Sequence, residues 1–151
     1  MGEARRSEKK DQDPDIGILT ARLLHGVQRT LFGRLADEGF DDLRPQHGAV
    51  LAYLDEDGSR AVDLSRRSGV HKQVVSKLLD ELEQLGYVNR EPDPRDRRAK
   101  LIVPTPRGLA QMERSDAIMG DLERDLRNVL DAERFDTFKA DLLRCQAALG
   151  R

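Results

Sequence analysis

The sequence predicts a mainly helical α+β chain of about six helices with one small antiparallel sheet of two or three strands. Three observations carry this. Apolar residues recur at spacings of three and four over much of the 151 residues, the period of a helix facing a core. Glycine and proline cut that pattern into separate helices. The one stretch rich in β-formers, residues 87–90 and 101–103, is divided by a charged segment holding Pro92 and Pro94, which excludes helix there.

The length favours a single domain, which buries about 68–70% of its unfolded surface. Hydrophobic residues make up 38%, charged residues 36% and aromatics 4%, with no Trp, so leucine must build the core. No run approaches the ~18 consecutive apolar residues of a membrane span. The opening MGEARRSEKKDQDPD lacks the apolar region of a secretory leader. A single cysteine allows no internal disulfide, which suits a reducing cytoplasm.

Taken in order, residues 1–13 alternate charges and read as a disordered tail. A helix begins at Asp15, with Ile16, Leu19, Leu23, Val27, Leu31 and Leu35 on one face and Gly39 as its stop. Pro45 suits the first turn of a second helix, reaching to about Leu54. Residues 55–59 are a turn, and residues 60–62 a short strand. Asp63 caps a brief helix that Gly69 ends. His71 opens the next, with Val74, Val75, Leu78, Leu79, Leu82 and Leu85 on one face and Lys72, Gln73, Ser76, Lys77 and Asp80 on the other. Gly86 ends it, and the two strands follow as a hairpin with a long charged tip. Thr105 and Pro106 start a helix running to about Val129, and Asp131 caps the last one. The narrow apolar stripes of these two helices resemble coiled-coil seams, so a partner subunit is expected to cover them.

Helix, short strand, helix, turn, helix and hairpin together spell a winged helix-turn-helix. In that arrangement the second helix of the motif enters the major groove of double-stranded DNA. His71, Lys72, Gln73, Ser76 and Lys77 then face the DNA. Gln73 can bond adenine N6 and N7. Lys72 and Lys77 can reach guanine or phosphate. On the hairpin tip, Arg95, Arg97 and Arg98 form a cationic finger fit for a narrow minor groove, and Asp96 is expected to pair with a neighbouring Arg and orient it. Arg60, Arg66 and Arg67 are further candidates for phosphate. Net charge is −2, yet residues 60–100 carry +3 and the remainder −5, the distribution expected when one face meets phosphate.

The sequence resembles the multiple antibiotic resistance regulator (MarR) family over roughly residues 43–108. The likeness lies in Leu43-Arg44-Pro45-Gln46, Asp63-Leu64-Ser65, the stretch from Val70 to Val88, Asp93-Pro94-Arg95-Asp96-Arg97-Arg98-Ala99, and Thr105-Pro106-Arg107-Gly108. Asp96 and Arg98 resemble the family's orienting acid and minor-groove arginine. Three positions depart from the pattern. Val74 stands where the family often has a DNA-contacting Thr or Ser, His71 where a small capping residue is common, and Pro104 where Leu is usual. The resemblance implies a homodimer on a palindromic operator, most often a repressor, relieved by a small, often aromatic acid lodged between the dimer helices and the DNA-binding lobe. It divides the domain of residues 14–151 into dimerisation helices (14–42 and 105–151) and a reading lobe (43–104).

His25, Arg29, Arg44 and His47 are the polar candidates for an anionic effector, and each is equally an ordinary surface or interface residue. The three histidines and one cysteine show no zinc spacing, so no metal or cofactor is expected. Cys145 falls on the apolar face of the last helix, where a buried thiol behaves as a small hydrophobe; a redox sensor is the alternative reading. No phosphate loop, serine elbow or HExxH motif supports an enzyme. A winged helix that binds protein in place of DNA is the competing class, and it has no need of so basic a wing.

Overall fold

Asp15 opens the first long helix because its side chain accepts the Ile18 N–H at 3.0 Å, pairing a donor that a helix start otherwise leaves free. The computed structural model describes residues 4–150. Helices α1 (Arg6–Gln12) and α2 (Ile16–Asp37) come first. A 3-10 turn (Pro45–His47) then runs into the short α3 (Gly48–Leu51), followed by α4 (Ala61–Ser68) and α5 (Lys72–Gln84). Strands β1 (Val88–Asp93) and β2 (Asp96–Pro104) form an antiparallel pair, and α6 (Pro106–Leu130) and α7 (Ala132–Leu149) complete the chain. The fold is mainly α with a two-stranded wing, as the pattern predicts.

Several boundaries follow from the residues that signal them. Thr105 caps α6 by accepting the Gly108 N–H at 3.1 Å, with Pro106 at the first helical position. Asp131 caps α7 by accepting the Arg134 N–H at 2.9 Å. Gly69 ends α4 in the left-handed region at φ 70°, which a side chain would resist.

Five expectations are corrected. Residues 6–12, expected to be disordered, form α1; none of them is buried, and local charge holds them. Glu8 accepts the Arg5 N–H at 2.9 Å, and Lys10 pairs with Asp15, the cap of α2. Residues 1–3 and 151, the ends of the expected tail and domain, lie outside the described residues. The strand expected at 60–62 shrinks to a bridge between Ser59 and Ile102, because α4 begins one residue later, at Ala61. Arg60 is therefore the residue that precedes α4, and Asp63 sits inside its first turn. Val74, expected among the apolar row of α5, is 48% exposed. Finally, the strands run on to Asp93 and from Asp96, so the wing tip is a tight turn at Pro94 and Arg95 where a long loop was expected.

The core lies in the middle of the chain. Val75, Leu78, Leu79 and Leu82 of α5 pack with Leu64 of α4, Val50 and Leu51 of α3, and Val88 and Ile102 of the hairpin. Leu35 of α2 and Ile118 of α6 extend this cluster into the layer of long helices. The outer helices stay half-built. Phe135 is the buried residue of α7, while Ile16, Leu24, Leu143 and Leu149 are 74%, 54%, 65% and 91% exposed.

A polar joint ties the two layers. Arg107 of α6 donates to Asp42 (3.0 Å) and to the Leu85 carbonyl at the end of α5 (2.6 Å), and its guanidinium lies 4.3 Å from the centre of the Tyr87 ring. Tyr87 donates its hydroxyl to Asp42 at 2.5 Å. Burial works to raise the Asp42 carboxyl, but the bonds from Tyr87 and Arg107 outweigh it and hold the group below the usual carboxylate range. Burial, and then the same carboxylate, push the Tyr87 hydroxyl above its ordinary value.

Gly108 makes this joint possible. A Cβ there would sit 2.1 Å from the Tyr87 carbonyl oxygen, which already accepts the Thr105 N–H at 3.0 Å and cannot swing aside. Gly108→Ala is expected to lower the unfolding free energy by about 1–3 kcal/mol, as overpacking does. Urea denaturation of the purified variant checks this, and an unchanged midpoint would contradict the close approach.

Candidate nucleic-acid interface

The first turn of α5 is built to face outward. His71 precedes it and accepts the Gln73 N–H on Nδ1 at 3.2 Å, so the histidine predicted to help read bases is also the helix cap. Ser65 donates its hydroxyl to the Val70 carbonyl at 2.6 Å and closes the turn between α4 and α5. Lys72, Gln73, Ser76 and Lys77 are exposed, and their side chains form no hydrogen bond or ion pair among the described residues.

The wing is positioned by two anchors that sequence reasoning missed. The first is Asp93, whose side chain is 5% exposed. It accepts the Arg95 N–H at 2.9 Å and Arg60 Nε at 2.6 Å. These donors hold its carboxyl below the ordinary range. The tie runs from the wing turn to the residue just before α4, so it locks the finger to the helix-turn-helix. The second is Arg90 of β1, which reaches Asp80 (2.7 Å) and Glu83 (3.1 Å) on α5. The wing thus cannot swing without breaking contacts to both helices of the motif.

At the tip, the register jumps. Asp93 pairs with Asp96, while Pro92 pairs with Lys100, so Arg97, Arg98 and Ala99 bulge out of the ladder. Asp96 accepts the Arg98 N–H at 3.0 Å. Its role here is to shape the backbone of the bulge, where pairing with a guanidinium was expected. The guanidiniums of Arg95, Arg97 and Arg98 form no hydrogen bond or ion pair among the described residues.

The remaining candidates are differently engaged. Arg60 is committed to Asp93, Arg66 pairs with Asp63 at 3.0 Å, and Arg67 with Asp55 at 3.0 Å. Of the four effector candidates, two converge elsewhere. His47 is fully buried, accepts the Arg44 N–H on Nδ1 (3.0 Å) and meets Glu81 through Nε2 (2.9 Å). Since Nδ1 accepts, the ring proton sits on Nε2 and is donated to Glu81. Arg44 pairs with the same Glu81 at 2.8 Å. The bonds from His47 and the charge of Arg44 depress the Glu81 carboxyl. His25 and Arg29 are exposed on α2, away from this group of bonds. Cys145, expected on an apolar face, is exposed on α7. Among the described residues no three His, Cys, Asp or Glu side chains could hold a metal, and no helix is long and apolar enough to cross a membrane.

A recognition helix held by its cap, beside a β-finger whose free cations all point away from the core, defines a winged helix-turn-helix. Residues 41–99 match the model of the MarR family. The chain is 25% identical over 127 residues to the HTH-type transcriptional regulator TcaR of Staphylococcus aureus, covering 83% of this chain and 78% of that protein. The reduced form of MarR from E. coli superposes with a TM-score of 0.68 at 26% identity, over 87% of this chain and 96% of the other. The S. aureus MepR–DNA complex shares the fold, with a TM-score of 0.76 at 24% identity over 90% and 98% of the two chains. The winged helix-turn-helix of residues 41–99 is thus similar to that of MarR-family transcriptional regulators, and the long helices flanking it fold as they do in these solved structures.

The Asp93 anchor has a pH signature. A carboxyl held below its ordinary value binds fewer protons in the folded than in the unfolded chain. Its stabilisation is therefore complete above the ordinary value of 3.8 and is lost as pH falls through the folded value. Urea titrations are expected to show wild-type stability dropping below about pH 4. Asp93→Asn should start less stable at neutral pH and lose less on acidification. Parallel acid profiles for the two proteins would remove Asp93 from this role.

Proposed function

We propose that the chain acts as a homodimeric, sequence-specific regulator that binds a palindromic operator in double-stranded DNA and represses its own or a neighbouring promoter. The observation that carries this reading is the division of cations in the reading lobe. Arg60, Arg66, Arg67 and Arg90 are paired internally, whereas Lys72, Lys77, Arg95, Arg97, Arg98 and Lys100 are not, and all six lie on the recognition helix or the wing. A surface that leaves its positive charge unpartnered on two rigid projections suits a polyanion with a groove between its phosphates.

In this reading Gln73 reads a base edge, helped by Ser76 and His71, and Lys72 and Lys77 hold phosphate. Arg98, set by the bulge that Asp96 stabilises, probes the minor groove, with Arg95 and Arg97 beside it on the wing. Arg66 and Arg67 can exchange their exposed ion pairs for phosphate, since such pairs contribute only about 0–1 kcal/mol. Arg60 is a strut. Residues 14–42 and 105–151 pair two copies, supported by the apolar side chains that α2 and α7 leave in water. A small aromatic acid that relieves repression would meet His25 and Arg29 as its unpaired polar partners, because Arg44 and His47 are taken by Glu81.

Fluorescence anisotropy with fragments of the upstream region tests this. The slope of log affinity against log salt is expected to steepen by about 0.9 for each phosphate contact. Arg98→Ala should weaken binding to every site. Gln73→Ala should reduce discrimination between sites by about 1–3 kcal/mol. A purified protein that sediments as a monomer, or retains no fragment at low salt, would overturn the reading. For the effector, a thermal-shift screen of aromatic carboxylates should find one that raises the melting temperature of wild type but not of Arg29→Ala.

A further inference from the structure

We propose that Val74 reads a thymine methyl group in the major groove and so biases each half-site toward an A·T pair beside the base read by Gln73. This deepens the operator-binding reading and rests on it.

Single exposed apolar side chains are ordinary on protein surfaces. Three features set Val74 apart. It lies in the first turn of α5, the part of a recognition helix nearest the base edges. It is 48% exposed and takes no part in the core cluster, although its neighbour Val75 is wholly buried. Lys72, Gln73 and Lys77 of the same helix are exposed and without internal partners, so its open half lies among the side chains free to meet DNA.

The chemistry then narrows what can meet it. Along the major-groove edge, the bases present hydrogen-bond donors, acceptors and one apolar group, the C5-methyl of thymine. Valine offers neither donor nor acceptor. Against a guanine or cytosine edge it would strip water from a polar group and return no hydrogen bond, which is unfavourable. Against a thymine methyl it buries apolar surface on both sides. A β-branched side chain in a helix keeps essentially one χ1 rotamer, so its two methyls are already in place and little freedom is lost on contact. Val74 therefore selects in two ways, for thymine by contact and against polar edges by desolvation. Gln73, one residue away, pairs naturally with adenine.

The test compares wild type with Val74→Ala on an operator recovered by selection from random duplexes at low salt. Each thymine of the half-site, with its symmetry mate, is replaced by deoxyuridine, which removes the methyl and keeps the pairing edge. At one symmetric pair of positions the wild-type affinity is expected to fall about fourfold per half-site, the worth of one buried methyl. Val74→Ala should bind the thymine operator more weakly and lose most of that sensitivity at the same positions only. If wild type tolerates uracil everywhere, or the alanine variant keeps the full penalty, Val74 does not read thymine, while the operator-binding reading stands. If selection recovers no bound duplex, both fall.

Discussion

Asp93 holds a carboxylate almost entirely out of water, and a buried charge is tolerated only with its donors in place. That requirement sets the geometry of the reading lobe. The donors come from two directions: the Arg95 N–H across the wing turn and the guanidinium of Arg60 at the head of α4. Satisfying both leaves the hairpin one orientation relative to the helix-turn-helix. Arg90, pairing back to Asp80 and Glu83, braces the same hairpin against α5. Acidic side chains thus do structural work inside a basic lobe. They engage the arginines that serve as struts and leave the tip arginines unpaired.

The second constraint sits where the two layers meet. Asp42, Tyr87 and Arg107 come from the link after α2, the start of the wing and the first turn of α6. Arg107 also holds the last carbonyl of the recognition-helix region, Leu85. Any rotation of the long helices against the lobe would have to stretch these bonds. The absence of a side chain at Gly108 lets α6 approach the Tyr87 backbone closely enough to form them. A second tie, Glu81 with His47 and Arg44, joins α5 to the turn before α3. The C-terminal half of α5 is therefore restrained by polar contacts as well as by its leucines.

The outer helices follow a different rule. Along α2 and α7, leucines and isoleucine repeat at helical spacing yet remain in water in the single chain. Burying one leucine side chain is worth roughly 1.5–3 kcal/mol, so several together make a strong drive toward a second apolar face. The lobe, by contrast, has a finished core of its own.

Much of this was legible from residues alone. Helix periodicity, the caps at Asp15, Thr105 and Asp131, the stop at Gly69, and the hairpin around two prolines all depend on local chemistry. Such chemistry acts within a few residues, so spacing reveals it. The exposed set Lys72, Gln73, Ser76, Lys77, Arg95, Arg97 and Arg98 was legible for the same reason. What the chain did not disclose by itself were contacts between distant residues: Arg60 with Asp93, Arg90 with Asp80, Arg107 with Asp42, and His47 with Glu81. Charged residues look alike in a sequence whether they face water, a phosphate or each other. Only packing decided that Arg60 is a strut and Arg98 is free, that Val74 faces out while Val75 faces in, and that Asp96 shapes a backbone bulge. The sequence by itself determined the helices, the wing and the types of side chain available to them. The tertiary structure decided which of those side chains remained unpaired, because that depends on which segments long-range packing brings together.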